Sequence, residues 1–154
     1  MPHPLPEYTI ADLEAIEPLE LPRLTRDDAV ELGTIAVGVI REWQLNLCVN
    51  VVVGDVLVFS VKLGNTDGGN DEWLSGKAEA VRAFGESSLM LRRRREAAGE
   101  TELEAGTMKF HGGCVPLFVA GQLAGTITMS GEKDVVDHEA SVEAVRRYQR
   151  SRLS

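Results

Sequence analysis

The chain has 154 residues, 44% of them apolar, and its 24 acidic and 16 basic side chains give a formal charge of −8 at neutral pH. That length suffices for one domain with its own core, and the acidic balance counts against general binding to nucleic-acid phosphates. No apolar run approaches the roughly 20 residues of a membrane span, and the opening Met1-Pro2-His3-Pro4 lacks the basic and apolar regions of a secretory leader, so a cytoplasmic, non-membrane protein is expected.

Five of the six prolines fall in the first 22 residues (Pro2, Pro4, Pro6, Pro18 and Pro22). Residues 1–23 therefore read as an arm laid over the domain or over a neighbouring subunit, with a short helix at Ile10 to Ile16 and anchors at Leu19 and Leu21. Residues 24–154 read as a single domain. Thr25-Arg26-Asp27-Asp28 has the form of a capping box, and Ala29, Leu32, Ala36, Ile40 and Trp43 continue it as one apolar helical stripe, with Trp43 in the core.

The β-rich stretches 45–53 and 56–63 flank Gly54-Asp55, the order of a type II′ hairpin turn. Cys48, and Cys114 further on, lie in such apolar runs without CxxC spacing and read as reduced, buried thiols. After the polar loop 64–70, with Asn70 as a helix cap, the spacing of Leu74, Ala78, Val81 and Phe84 predicts a second helix that ends at Gly85. Trp73 and Lys77, four apart, share one side of it.

Ser87 to Ala98 reads as a third helix carrying Arg92-Arg93-Arg94-Arg95. The nearby Glu96, Glu100, Glu102 and Glu104 favour a solvated or subunit-contacting helix over a phosphate-binding patch. Gly99 to Gly106 reads as an exposed acidic connection, partly helical at most. Cys114 to Ala120 and Leu123 to Met129 form a second hairpin about Gly121-Gln122, again of type II′ order, and Pro116 places its strand at an edge or a bulge. Asp134 and Asp137 can box the start of a final helix whose stripe, Val135, His138, Val142, Val145 and Gln149, turns His138 inward. The elements add up to an α+β (mixed α/β) fold with antiparallel hairpins and packed helices.

Trp73 and Lys77 on a helix, Phe84-Gly-Glu-Ser-Ser88, His111-Gly112-Gly113-Cys-Val-Pro116, Gly125-Thr126-Ile-Thr-Met-Ser130-Gly131 and Asp137-His138 together resemble the UPF0303 family. That family lies within the wider GlcG/HbpS-like group of haem-binding proteins and proteins labelled haem-degrading. The resemblance spans about residues 24 to 150 and implies a profilin-like fold with an antiparallel sheet, assembled as a homo-oligomer. It gathers His111, Gly112, Gly113, Ser130, Gly131, Asp137 and His138, with Trp73 and Lys77, as one ligand-binding set, with haem as the implied cofactor.

The residues themselves leave several readings open. His111 beside two glycines can ligate a haem iron, bind a carboxylate or cap the sheet, because glycine lets the backbone approach a ligand closely. His138 on an apolar stripe is equally a core histidine. If both reach one pocket, the pair with Asp137 can hold a transition metal or act as an acid–base couple. Ser130-Gly131 offers a hydroxyl and backbone N–H groups to a carboxylate or phosphate, yet it is not a G-x-S-x-G elbow and no triad order accompanies it. Lys77 can pair with a propionate, and Trp73 can stack on a flat ring. Three functional classes follow: a small-ligand or haem-binding oligomer, a haem-degrading enzyme, and a structural or interaction protein without activity.

Overall fold

The computed structural model describes residues 7–153, so the prolines at positions 2, 4 and 6 lie outside the described residues. The fold is mixed α+β. Helix α1 (Ile10–Glu14) and strand β1 (Leu19–Leu21) precede α2 (Arg26–Glu42), the hairpin β2 (Cys48–Val53) and β3 (Val56–Lys62), α3 (Asp71–Phe84) and α4 (Ser88–Ala97). The short strands β4 (Glu104–Ala105) and β5 (Met108–Lys109), the hairpin β6 (Cys114–Val119) and β7 (Gln122–Ser130), and α5 (Asp134–Ser151) complete it. No helix among the described residues is long and apolar enough to cross a membrane.

The main sheet has the order β1-β6-β7-β2-β3, antiparallel throughout except where β1 joins β6 in parallel. The two hairpins pair with each other through β2 and β7, from Cys48 against Ser130 to Val53 against Gly125. Because side chains alternate across a strand, this register sorts the sheet into two unlike faces. Val49, Val51, Val115, Leu117, Ile127 and Met129 point one way and form the main core with α2 and α5. Cys48, Asn50, Cys114, Thr126, Thr128 and Ser130 point the other way, where Ala78 and Val81 of α3 pack on Cys114. Both cysteines are unpaired and buried.

Local chemistry explains most boundaries. Thr25 caps α2 through the reciprocal bonds of a capping box with Asp28, and Thr9 caps α1 in the same way with Asp12. Gly85, at φ 76°, ends α3 in the left-handed conformation that costs glycine least. Gly54 takes positive φ while Asp55 does not, consistent with the type II′ expectation.

Four details differ from the sequence reading. The second hairpin turns one residue earlier than expected, at Ala120-Gly121, with φ of 51° and 76°, so its turn has the two positive φ values of type I′ and Gln122 already pairs with Val119. The stretch read as an acidic connection contains β4, which pairs with β5 around Gly106-Thr107. Phe84 leaves the apolar stripe and is 56% exposed. The N-terminal segment is built into the sheet, with Leu19 and Leu21 buried on either side of exposed Glu20. The strand of Pro116 is not an edge, since β6 lies between β1 and β7, but β1 pairs with it only from Leu117 onward, and the alternative expectation of a bulge is met by the β6–β7 register shift between Leu117 and Phe118.

The arginine run is consumed internally. Arg92 bonds Asp134 and Glu96, Arg93 bonds Glu96 and the carbonyls of Glu7 and Tyr8, Arg94 forks onto Glu86, and Arg95 reaches Glu100 and the Glu102 carbonyl. Trp43 packs against the main core as expected.

Candidate functional site

The site grows from the polar face of the sheet. On α3 the side chain of Lys77 points at that face and is only 2% exposed. Its ammonium donates to the Met129 carbonyl at 3.0 Å and to Asp137 Oδ2 at 3.1 Å. An ammonium carries three protons, so one donor remains for a ligand. Asp137, from the first turn of α5, accepts the Glu132 N–H on its other oxygen at 3.0 Å. Burial pushes the Asp137 carboxyl up to about 6, against the pull of Lys77, which leaves it ionised at neutral pH and able to exchange a proton just below it.

The two glycines after His111 are steric requirements of this arrangement, Gly113 for the pair and Gly112 for Asp134. Gly113 has φ 138°, and a β-carbon there would lie 2.7 Å from Lys77 Nζ and would collide with the Met129 carbonyl. At Gly112 a β-carbon would strike the Asp134 carbonyl, while the Gly112 N–H donates to Asp134 Oδ2 at 3.1 Å. The same carboxylate accepts from Arg92 Nη1 at 2.7 Å, and these bonds hold Asp134 below the ordinary carboxylate range in spite of burial. Thus Asp134 and Asp137 bind the site together instead of capping α5, whose N-cap Lys133 makes no side-chain cap bond.

Around this base lies a cavity of about 300 Å³ lined by Asn70, Trp73, Lys77, His111, Ser130, Gly131, Glu132, Asp134 and Asp137. Asn70 does not cap α3; its amide donates to Ser130 Oγ at 3.3 Å. His111 stands edge-on to the Trp73 ring, with centroids 5.2 Å apart, and Lys109 Nζ sits 4.5 Å from the centre of the same indole. The β4–β5 hairpin supplies this wall, because it delivers Lys109 against α3 two residues before His111. Burial lowers the His111 pKa, Asp134 opposes that shift, and Arg92 and Lys77 add to it. The imidazole is neutral at pH 7, the form that ligates a metal or shares a hydrogen bond in either sense.

Of the residues singled out from sequence, Trp73, Lys77, His111, Ser130, Gly131 and Asp137 line this one cavity, and Gly112 and Gly113 pack against its Asp134, Lys77 and Asp137. His138 does not line it. Its ring is fully buried, meets the edge of Tyr8 at 5.1 Å and leaves both nitrogens without a partner. Among the described residues no three His, Cys, Asp or Glu side chains come together as a metal cluster. Asn70, Glu132, Asp134 and Arg92 are additions of the tertiary structure. Asp134 and Asn70 read locally as helix caps, and nothing in the sequence marks their second partners.

Comparison with known proteins agrees with this architecture. The family model described as haem degrading protein HbpS-like matches residues 24–146. A UPF0303 protein of Streptomyces coelicolor is 33% identical over 147 residues, which covers 91% of this chain and 93% of the relative. One from Paraburkholderia phytofirmans is 32% identical over 134 residues, covering 82% and 81%. The crystal structure of the Ybr137w protein superposes with a TM-score of 0.84 at 23% identity over 97% of this chain and 92% of its own. That of a PduOC:heme complex gives 0.69 at 19% identity over 80% and 93%. The extent of the family match and of the Streptomyces alignment place the chain in the HbpS-like family, among its UPF0303 members.

Proposed function

We propose that this protein binds haem or another carboxylate-bearing tetrapyrrole at the His111 cavity and works as a homo-oligomer. The observation that carries the reading is His111 itself: a half-buried imidazole, kept neutral, beside an indole and above a buried Lys77–Asp137 pair. A neutral imidazole supplies an axial nitrogen to haem iron, and Trp73 offers an aromatic surface to the macrocycle. The remaining proton of Lys77 and the Ser130 hydroxyl suit a propionate.

A cavity of about 300 Å³ is at the small end of ligand pockets and takes one edge of a macrocycle. The rest of the ring would lie across the mouth, where a second protomer supplies the missing wall. The description of the family as haem-degrading and the solution of PduOC as a heme complex support the choice of ligand. Asp137, with its raised pKa beside Lys77, gives the site an acid–base group, so turnover is a second reading.

A haem titration followed by absorbance tests the binding. Wild type and His138→Ala are expected to develop a shifted Soret band at micromolar haem, and His111→Ala is expected to lose it. No shift in wild type overturns haem as ligand, and a shift unchanged in His111→Ala overturns the assigned ligand. Loss of the band on adding a reductant in air would raise binding to degradation.

A further inference from the structure

His138 is the one described side chain with two orphaned, fully buried nitrogens. One of them carries a proton with no acceptor, and a buried donor left unsatisfied bears its full desolvation cost. It is covered by the N-terminal segment. Tyr8 meets its ring, and Leu13 of α1 packs with Leu89 and Met90 of α4 beside it, with Tyr8, Ile10 and Val135 at the margin. Tyr8 holds this position with φ 52°, a left-handed backbone that a bulky side chain adopts only under strain. The strain is fixed by Arg93, which donates to the carbonyls of Tyr8 and Glu7 at 2.8 Å each. Orphaned nitrogens and a strained backbone thus meet at one contact.

We propose that residues 7–16 form an acid-released strap, latched at the contact between Tyr8 and His138. The latch tolerates only a neutral imidazole. Asp134, on His138's own helix, favours its protonation; Arg93, on α4, opposes it; and Tyr8, on the strap, is a phenol with Glu139, Arg146 and Asp12 around it. No carboxylate bonds the ring, so a protonated His138 would be an unpaired buried cation. Lifting the strap lets water reach the imidazole and uncovers Leu89 and Met90 of the same cluster.

The sign follows from the two states. Burial holds His138 near 4 under the strap, below the ordinary value of 6.5 that it regains in water. The strapped form is favoured in full above about pH 6.5 and loses its advantage as pH falls towards 4. Linkage between those two values gives an increase in the open-to-strapped ratio of about 20-fold from pH 7 to pH 5.

Amide hydrogen exchange reads this directly. The N–H groups of Leu13, Ala15, Ile16 and Glu17 are bonded within the strap, to Thr9, Ala11 and Leu13 carbonyls. Their protection, corrected for intrinsic exchange at each pH, is expected to fall by about 20-fold from pH 7 to pH 5 in wild type, while amides of α2 keep theirs. His138→Phe, which cannot titrate, is expected to remove the fall. Glu17 anchors the far end by accepting from the Ser87 hydroxyl and N–H, and burial raises its pKa too. Glu17→Gln, whose amide oxygen can still accept the Ser87 N–H while its amide nitrogen donates to the Ser87 hydroxyl, is expected to keep the fall. A pH-independent strap in wild type, a fall that persists in His138→Phe, or one abolished by Glu17→Gln overturns the proposal. Should His138→Phe not fold, the imidazole is titrated by NMR in wild type. A midpoint for His138 that differs from the midpoint of strap release overturns it equally.

Discussion

The two faces of the central sheet bury comparable side chains in opposite ways. On the α2 and α5 face Val49, Val51, Leu117 and Ile127 are completely buried among apolar neighbours, so its stability is a matter of packing. On the α3 face Thr126, Thr128 and Asn50 leave buried oxygens without partners, and Lys77 and Asp137 are charged at 2% and 3% side-chain exposure. A core gains little from such groups, since burying an ion pair seldom yields more than a hydrophobic replacement would. The α3 face gives up apolar packing for polar groups, as the proposed site requires, and the other face carries the apolar core.

The sharpest way to break the comparison is to remove one member of the buried pair. Asp137→Ala strands the Lys77 ammonium and is expected to destabilise the protein by roughly 3–5 kcal/mol in urea unfolding. Lys77→Met with Asp137→Leu is expected to restore most of that loss while weakening haem binding, since the Lys77 donor is gone. If the double variant stayed as unstable as the single one, the pair would be structural and the division between the faces would fail.

On the packing face a purely apolar deletion is expected to cost almost as much. Leu117 is fully buried and central in β6, so Leu117→Ala should lose about 2–5 kcal/mol through lost transfer energy and the cavity left behind. Ligand affinity should be unaffected, as measured with the same haem titration. A matching loss of affinity would show that the two faces are not separable.

Capping is worth less, and the box that opens α2 belongs to the packing face. Thr25 accepts the Asp28 N–H at 3.1 Å while Asp28 accepts the Thr25 N–H at 2.9 Å. Thr25→Ala should cost about 1 kcal/mol, read as a lowered urea midpoint with an unchanged slope. A change in slope would mean that α2 forms independently of the sheet.

The packing face was also the more legible of the two in the sequence. Periodicity located α2 and the inward stripe of α5, as it also located α3 on the other face, and the turn chemistry of Gly54-Asp55 located the first hairpin, because each depends on neighbours a few residues apart. The second turn slipped because Ala120 takes a positive φ that the residue type does not advertise. Strand β1 was unreadable for a different reason: three residues derive their strand character wholly from pairing with Leu117 to Val119, almost a hundred positions away. At the site, Trp73 and Lys77 were visible as helical neighbours, and His111-Gly112-Gly113 as a pattern. What remained hidden was the partner of each. Asp134 resembles a cap until Gly112 and Arg92 are seen on it, and His138 reads as a core histidine or as a companion to His111 until Tyr8 is seen against its ring, away from the cavity.

The smallest net effect is expected in the pH dependence of global stability, where the buried histidine and the site carboxylate pull against each other. His138 is held near 4 in the folded protein and is ordinary when unfolded, so the unfolded chain binds the extra proton and stability falls on acidification from about 6.5. Asp137 is raised to about 6 from 3.8, so the folded protein binds the extra proton there and stability falls as pH rises from about 4 to 6. The two slopes are opposite in sign over nearly the same window, and wild type should show little dependence on pH from these groups. Each substitution should expose the other slope. Urea midpoints of His138→Phe are expected to decline from pH 4 to pH 6, and those of Asp137→Asn to climb over the same range. Parallel curves for the two variants would mean that neither group titrates as its surroundings require, and that the polarity of the α3 face has no electrostatic consequence.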